Sequence, residues 1–190
     1  MKKMAAGALL IWAACLYVMQ AQATPLPQEL RAALPSGTLA GQSTMTFWGL
    51  KVYRASLWVT PGFVGAAYDQ SAFALELAYL RDFKGADIAS RSITEMRRQG
   101  PIEAAREARW ETRMRELFPD VKPGDSLTGV SQPGRGALFL SNGRVLGEIA
   151  DPEFARLFFG IWLAPQTSEP QMRRDLLASA RALPSNGSTP

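Results

Sequence analysis

The chain has 190 residues, with 21 Lys and Arg against 17 Asp and Glu, a formal net charge of +4, no histidine and one cysteine. Without imidazole it can build neither a Ser-His-Asp triad nor histidine-ligated haem, and with Cys15 as the sole thiol it forms no internal disulfide and no cysteine zinc site. Its cations are interspersed with acids, and no basic block with interleaved aromatics occurs, so nucleic acid is not an expected partner; no metal or cofactor is expected either.

Met1-Lys2-Lys3 is a basic n-region, Met4 to Met19 an apolar run and Ala21-Gln22-Ala23 an A-x-A signature, which together read as an export signal, residues 1–23, cleaved after Ala23. Cys15 follows Trp12-Ala13-Ala14, a poor lipidation signal because Trp stands where an aliphatic residue is usual. An uncleaved anchor is the weaker alternative, since Leu9 to Val18 falls short of the ~20 residues a membrane span needs. The exported chain is expected in the periplasm as a single domain, 24–183, held by an apolar core, with a frayed tail at 184–190.

Along that domain, Gln28 to Leu34 allows one helical turn, and Gln42 to Val59 is rich in strand formers, reading as one bent strand or two consecutive ones interrupted at Gly49. Phe73, Leu75, Leu77 and Tyr79 alternate with smaller or polar residues, placing a bulky apolar set on one face of a further strand. Helices are expected from about Ala86 to Gln99, stopped by Gly100-Pro101, and from Ile102 to Phe118, where Trp110, Met114 and Leu117 share a stripe and Glu111 precedes Arg115 by one turn. The dense charge of the second helix reads as a solvated face, and Arg81-Asp82 as an ion pair at a strand end.

Leu127 to Ser131, Ala137 to Ser141 and Arg144 to Ile149 follow as strands, the last two joined by Asn142-Gly143, residues that accept the positive φ of a tight hairpin turn. Asp151-Pro152 caps a helix striped by Phe154, Leu157, Phe158 and Ile161, and Ser168 caps a last helix running to about Ala182. Strands in two groups with helices between and after imply an α+β fold, an antiparallel sheet with helices on one face.

Trp48-Gly49-Leu50-Lys51-Val52-Tyr53-Arg54-Ala55-Ser56-Leu57-Trp58 resembles a block of the chalcone isomerase-like family in its bacterial exported branch. Leu77 to Gly85, Ser92 to Met96, Leu127 to Val130, Asn142 to Ile149 and Asp151 to Leu163 resemble further blocks in the same order. The resemblance covers roughly Leu39 to Ala178 and implies a curved, mostly antiparallel sheet covered on one face by helices, with a ligand cleft between. In the plant enzymes of the family a phenolate oxygen adds to an enone, which needs a cation for the phenolate and donors for the developing enolate.

The alignment that the resemblance implies carries over little of that machinery. The plant threonine falls on Tyr53, which keeps a hydroxyl. The plant arginine falls in Gly41 to Thr46, which holds no cation, the tyrosine falls on Ile88 and the asparagine on Glu95. Fatty-acid-binding members use an arginine with a tyrosine. Here Tyr53 suits the second role, and Arg91, three residues after Ile88 on the helix, suits the first better than Arg54, whose side chain points away from Tyr53, or Arg81.

The favoured function is a non-catalytic binder of a hydrophobic small molecule such as a fatty acid, with Tyr53, Ile88 and Arg91 as ligand-binding residues. One alternative is an isomerase, an intramolecular lyase with Tyr53 as donor and Glu95 as base. Another is an envelope lipid-metabolism accessory protein whose cleft is filled by its own side chains. The partner expected is a lipophilic small molecule, with peripheral contact to envelope lipids. Tyr53 as a packing aromatic, Glu95 as a solvated carboxylate and Trp48, Trp58, Trp110 and Trp162 as core and rim aromatics are the plainer readings of the same residues.

Overall fold

The computed structural model describes residues 24–180; the expected export signal at 1–23 and the expected tail at 184–190 lie outside the described residues. Strand β1 (Thr38–Phe47) turns back through Trp48-Gly49 into β2 (Leu50–Val59), so the stretch read as one bent strand or two consecutive ones is a hairpin. Both turn residues have positive φ, 49° and 76°, the left-handed pair whose twist suits a two-residue hairpin loop. Strand β3 (Phe73–Tyr79) pairs with β2, and helices α1 (Gly85–Met96) and α2 (Ala104–Leu117) intervene before β4 (Ser126–Gln132) returns beside β3.

Strands β5 (Gly136–Ser141) and β6 (Arg144–Ile149) form the expected hairpin, with Asn142 and Gly143 at φ of 48° and 77°. The six strands stand in chain order in one antiparallel sheet. Helices α3 (Pro152–Leu163) and α4 (Pro170–Leu176) close the fold. Asp151 caps α3 as its sequence implied, accepting from the Glu153 and Phe154 N–H groups, and also takes the Trp110 indole N–H at 3.0 Å, which ties α2 to α3. Ser168 does not cap α4; Glu169 stands at the cap position without a side-chain bond, and the helix stops at Leu176, short of the expected reach.

The main core lies between the sheet and its helical layer. Phe73 and Phe139 from the strands meet Phe154 and Phe159 from α3, all at 0–1% exposure, and edge-to-face pairs such as Phe73 with Phe159 at 4.8 Å fix their orientation. The charged face of α2 is solvated as read, with Glu111 holding Arg115 at 2.7 Å, whereas Arg81 and Asp82 are both exposed and form no pair with each other. The opposite face of the sheet, for which the sequence offered no cover, carries a small second core: the N-terminal segment lays Leu30 and Leu34 over Trp58, Ala74, Val130 and Leu140. On that face Glu76 sits in register between Ser56 and Thr128, and burial raises its carboxyl above the ordinary range.

Candidate functional site

Strand alternation aims Tyr53 at the helical layer, in register between Met45 on β1 and Tyr79 on β3. The rings of Tyr53 and Tyr79 meet edge to face at 6.0 Å, and Phe83 follows Tyr79 at 5.7 Å. From above, α3 supplies Trp162, whose indole N–H donates to the Tyr53 hydroxyl oxygen at 3.0 Å. Burial pushes the Tyr53 phenol up to about 12, with the Trp162 bond and Arg91 pulling it down and Glu169 and Glu95 raising it further. Tyr79 is raised as well, by burial first and by its neighbour Tyr53 second. Both phenols therefore stay neutral at physiological pH and act as donors.

The Tyr53 oxygen is an acceptor for Trp162, and its own proton meets no acceptor among the described residues; the hydroxyl of Tyr79, a residue only 4% exposed, has no hydrogen-bond partner there either. Adjacent strands thus present a pair of unspent O–H donors beneath the helices. Such donors suit an anion or a carbonyl oxygen.

Helix α1 supplies the rest of the neighbourhood, because Ile88, Arg91 or Ser92, and Glu95 recur at helical spacing on one side. Ile88 is partly buried against the main core. Arg91 is 68% exposed and binds Glu95 Oε1 at 2.6 Å. Glu95 is not the solvated carboxylate of the plain reading: its side chain is 7% exposed, Arg98 holds Oε2 at 2.9 Å, and the Ser168 hydroxyl donates to the same oxygen at 2.9 Å. Both Glu95 oxygens are thus engaged by neighbouring side chains. The Ser168 hydroxyl that the sequence assigned to a helix cap is spent here, fastening the α3–α4 connection over α1.

The structure thus brings Tyr53, Glu95 and Arg91 within electrostatic reach of one another and leaves Arg54 and Arg81 exposed on the surface. Three participants were missed. Tyr79 reads in the sequence as a bulky strand residue, although its hydroxyl on the same face as Tyr53 is a legible signal; Trp162 and Ser168 carry none, since their partners lie 109 and 73 residues away. A cleft of about 330 Å³ lies at the other end of the sheet, lined by Tyr68, Ser131, Gln132, Arg156 and Phe159 among others, and the Tyr68 hydroxyl there is spent on the Arg156 carbonyl at 2.9 Å.

A protein of Haemophilus influenzae described as uncharacterized is 36% identical over 73 residues, a stretch that spans 38% of this chain and 36% of that protein. The crystal structure of a fatty-acid binding protein of Arabidopsis thaliana is similar with a TM-score of 0.61, covering 77% of this chain and 89% of that one at 10% identity, a likeness of fold. The family model described as chalcone isomerase-like matches residues 18–178. With the antiparallel sheet and helical layer already in place, that match over most of the sequence shows that the chain belongs to the chalcone isomerase-like family.

Proposed function

We propose that this protein is an exported, periplasmic, non-catalytic binder of an elongated hydrophobic small molecule such as a fatty acid. The observation that carries the reading is the pair of neutral hydroxyls on the partly buried Tyr53 and the buried Tyr79, whose protons are free to meet a carboxylate head, with the Arg91 guanidinium within electrostatic reach of Tyr53. The fatty-acid-binding title of the similar plant structure supports it, and the A-x-A leader supports export in the bacterial branch of the family. Residues 24–183 would form the mature domain, with the tail at 184–190 outside it.

Mass spectrometry of the purified protein under native and then denaturing conditions tests the ligand. A retained acyl lipid, lost in a Tyr53→Phe/Tyr79→Phe double variant, is the expected result. Protein that carries no lipid and binds no fatty-acid probe at high micromolar concentration overturns it. Cell fractionation with N-terminal sequencing tests the address, with Thr24 expected as the first residue.

A second reading, the accessory protein with a filled cleft, is favoured by one contact: the Trp162 indole occupies the space against the Tyr53 hydroxyl. If the parent binds no acyl probe and Trp162→Ala does, the cleft is filled by its own side chain. The isomerase reading draws no support from Glu95, whose carboxylate is already shared by Arg91, Arg98 and Ser168.

A further inference from the structure

The β1–β2 hairpin runs past the end of its neighbour. The last pairing of β3 with β2 is Tyr79 opposite Tyr53, followed by the Leu80 N–H to the Val52 carbonyl at 2.9 Å, so residues 46–51 project as an isolated two-stranded ribbon. A bulge sets it off from the sheet: Met45 faces Tyr53 and Thr46 faces Lys51, leaving Val52 as the extra residue. The tip is apolar. Trp48 is 90% exposed, Phe47 60% and Leu50 53%, and the Phe47 and Trp48 rings stack at 5.8 Å.

This arrangement is unfavourable in water on two counts. Large apolar side chains are hydrated where most of the chain's aromatics are buried, and Trp48 holds a φ of 49°, where Asn or Gly would sit with less strain. On the ribbon the charge has one sign, since residues 44–54 contain Lys51 and Arg54 and no acid; beside it Arg81 follows the partly exposed Leu80. Lys51, Arg54 and Arg81 are exposed and enter no ion pair among the described residues, although the exposed Asp82 adjoins Arg81 in sequence.

Stacked aromatics and a leucine on a protruding point, with unpaired cations just behind, match the physical profile of a bilayer interface, where rings sit at headgroup level and Lys and Arg meet anionic lipid. We infer that the Phe47-Trp48-Gly49-Leu50 tip docks on an anionic phospholipid surface. Tyr53 lies three residues down β2 from Leu50, about 10 Å at strand rise, so docking would set the bilayer against the end of the sheet that holds the tyrosine pair. The inference stands on the hairpin alone and does not depend on the ligand reading.

The test is flotation with vesicles of phosphatidylglycerol and phosphatidylethanolamine, against vesicles of phosphatidylcholine, using the full chain and a Trp48→Asn/Leu50→Ser variant with the same N-terminus. Asn suits the turn better than Trp, so the variant is expected to melt no lower than the parent. The parent should bind anionic vesicles about tenfold or more tighter than neutral ones, weaken in about 0.5 M salt, and lose about tenfold or more of its affinity in the variant. Lys51→Glu should weaken binding to the anionic vesicles alone. Equal binding by parent and variant overturns the inference, and so does a parent dimer that the variant dissolves, because a second copy of the chain would then be what covers the tip.

Discussion

Replacing Tyr53 by Phe removes one oxygen and probes the contact on which the site is built. That oxygen accepts the Trp162 indole N–H at 3.0 Å, and Trp162 is 7% exposed, so the donor left behind has little access to water. An unpaired buried donor costs about 1–3 kcal/mol, offset by roughly 1 kcal/mol because the phenol no longer has to be desolvated. The expected net loss is about 1 kcal/mol, or about 2–4 °C of melting temperature for a chain of this size. Urea unfolding should show a lower midpoint with an unchanged slope. Trp162→Phe removes the same hydrogen bond from the other side, so the double variant should lose about 1 kcal/mol less than the sum of the singles. Losses that add to within a few tenths would refute the reasoning, because β2 and α3 would then not be coupled through this bond.

Tyr79→Phe should behave in the opposite way: its hydroxyl has no partner among the described residues, so stability should hold within about 1 kcal/mol or rise while acyl retention falls, read by thermal melts beside ligand mass spectrometry. Gly41→Ala should destabilise by about 1–3 kcal/mol, since a methyl there runs into the Asp175 carbonyl of α4, which packs on β1; an unchanged urea midpoint would show that α4 is free to shift. Glu76 tests the other face of the sheet. Burial raises its carboxyl, so its stabilising contribution is full below the unfolded pKa and is lost as pH rises through the higher folded value. Glu76→Gln should match the parent in acid and exceed it at neutral pH, and melts across pH about 4 to 8 that show no widening gap would contradict this.

The architecture was legible where local chemistry and tertiary packing agree. β3 alternates cleanly because one face meets the helices; Asn142-Gly143 names its own turn; Asp151-Pro152 marks the start of α3 because capping is a matter of adjacent residues. The β1–β2 turn was illegible for the converse reason. Trp48 is a residue that a left-handed turn position does not favour, so the sequence showed an interruption at Gly49 without its direction. The cover of the second face was hidden too, since Leu30 and Leu34 form no amphipathic pattern long enough to announce a partner. At the site, Tyr53, Ile88, Arg91 and Glu95 could be picked out through the family resemblance, but not what holds them. Glu95 looks solvated in a helix rich in polar residues, and its burial follows from Ser168 arriving from a distant loop.

The same geometry bears on whether the proposed site holds a ligand or transforms one. Proton transfer near neutral pH needs a group that gives up or takes a proton there. Tyr53, with its phenol pushed to about 12, gives up none, and Tyr79 is raised beside it. Glu95 lies near enough to influence Tyr53, but its oxygens are shared between Arg91, Arg98 and Ser168. What remains is hydrogen-bond donation that does not vary across physiological pH, from hydroxyls whose burial strengthens each bond they make. That is a poor arrangement for moving protons and a good one for retaining a carboxylate. The consequence is measurable: if the binder reading is right, acyl affinity should stay flat from about pH 6 to 9, above the ordinary carboxylic-acid range and below both phenols. A bell-shaped dependence would return a titrating group, and with it catalysis, to the site.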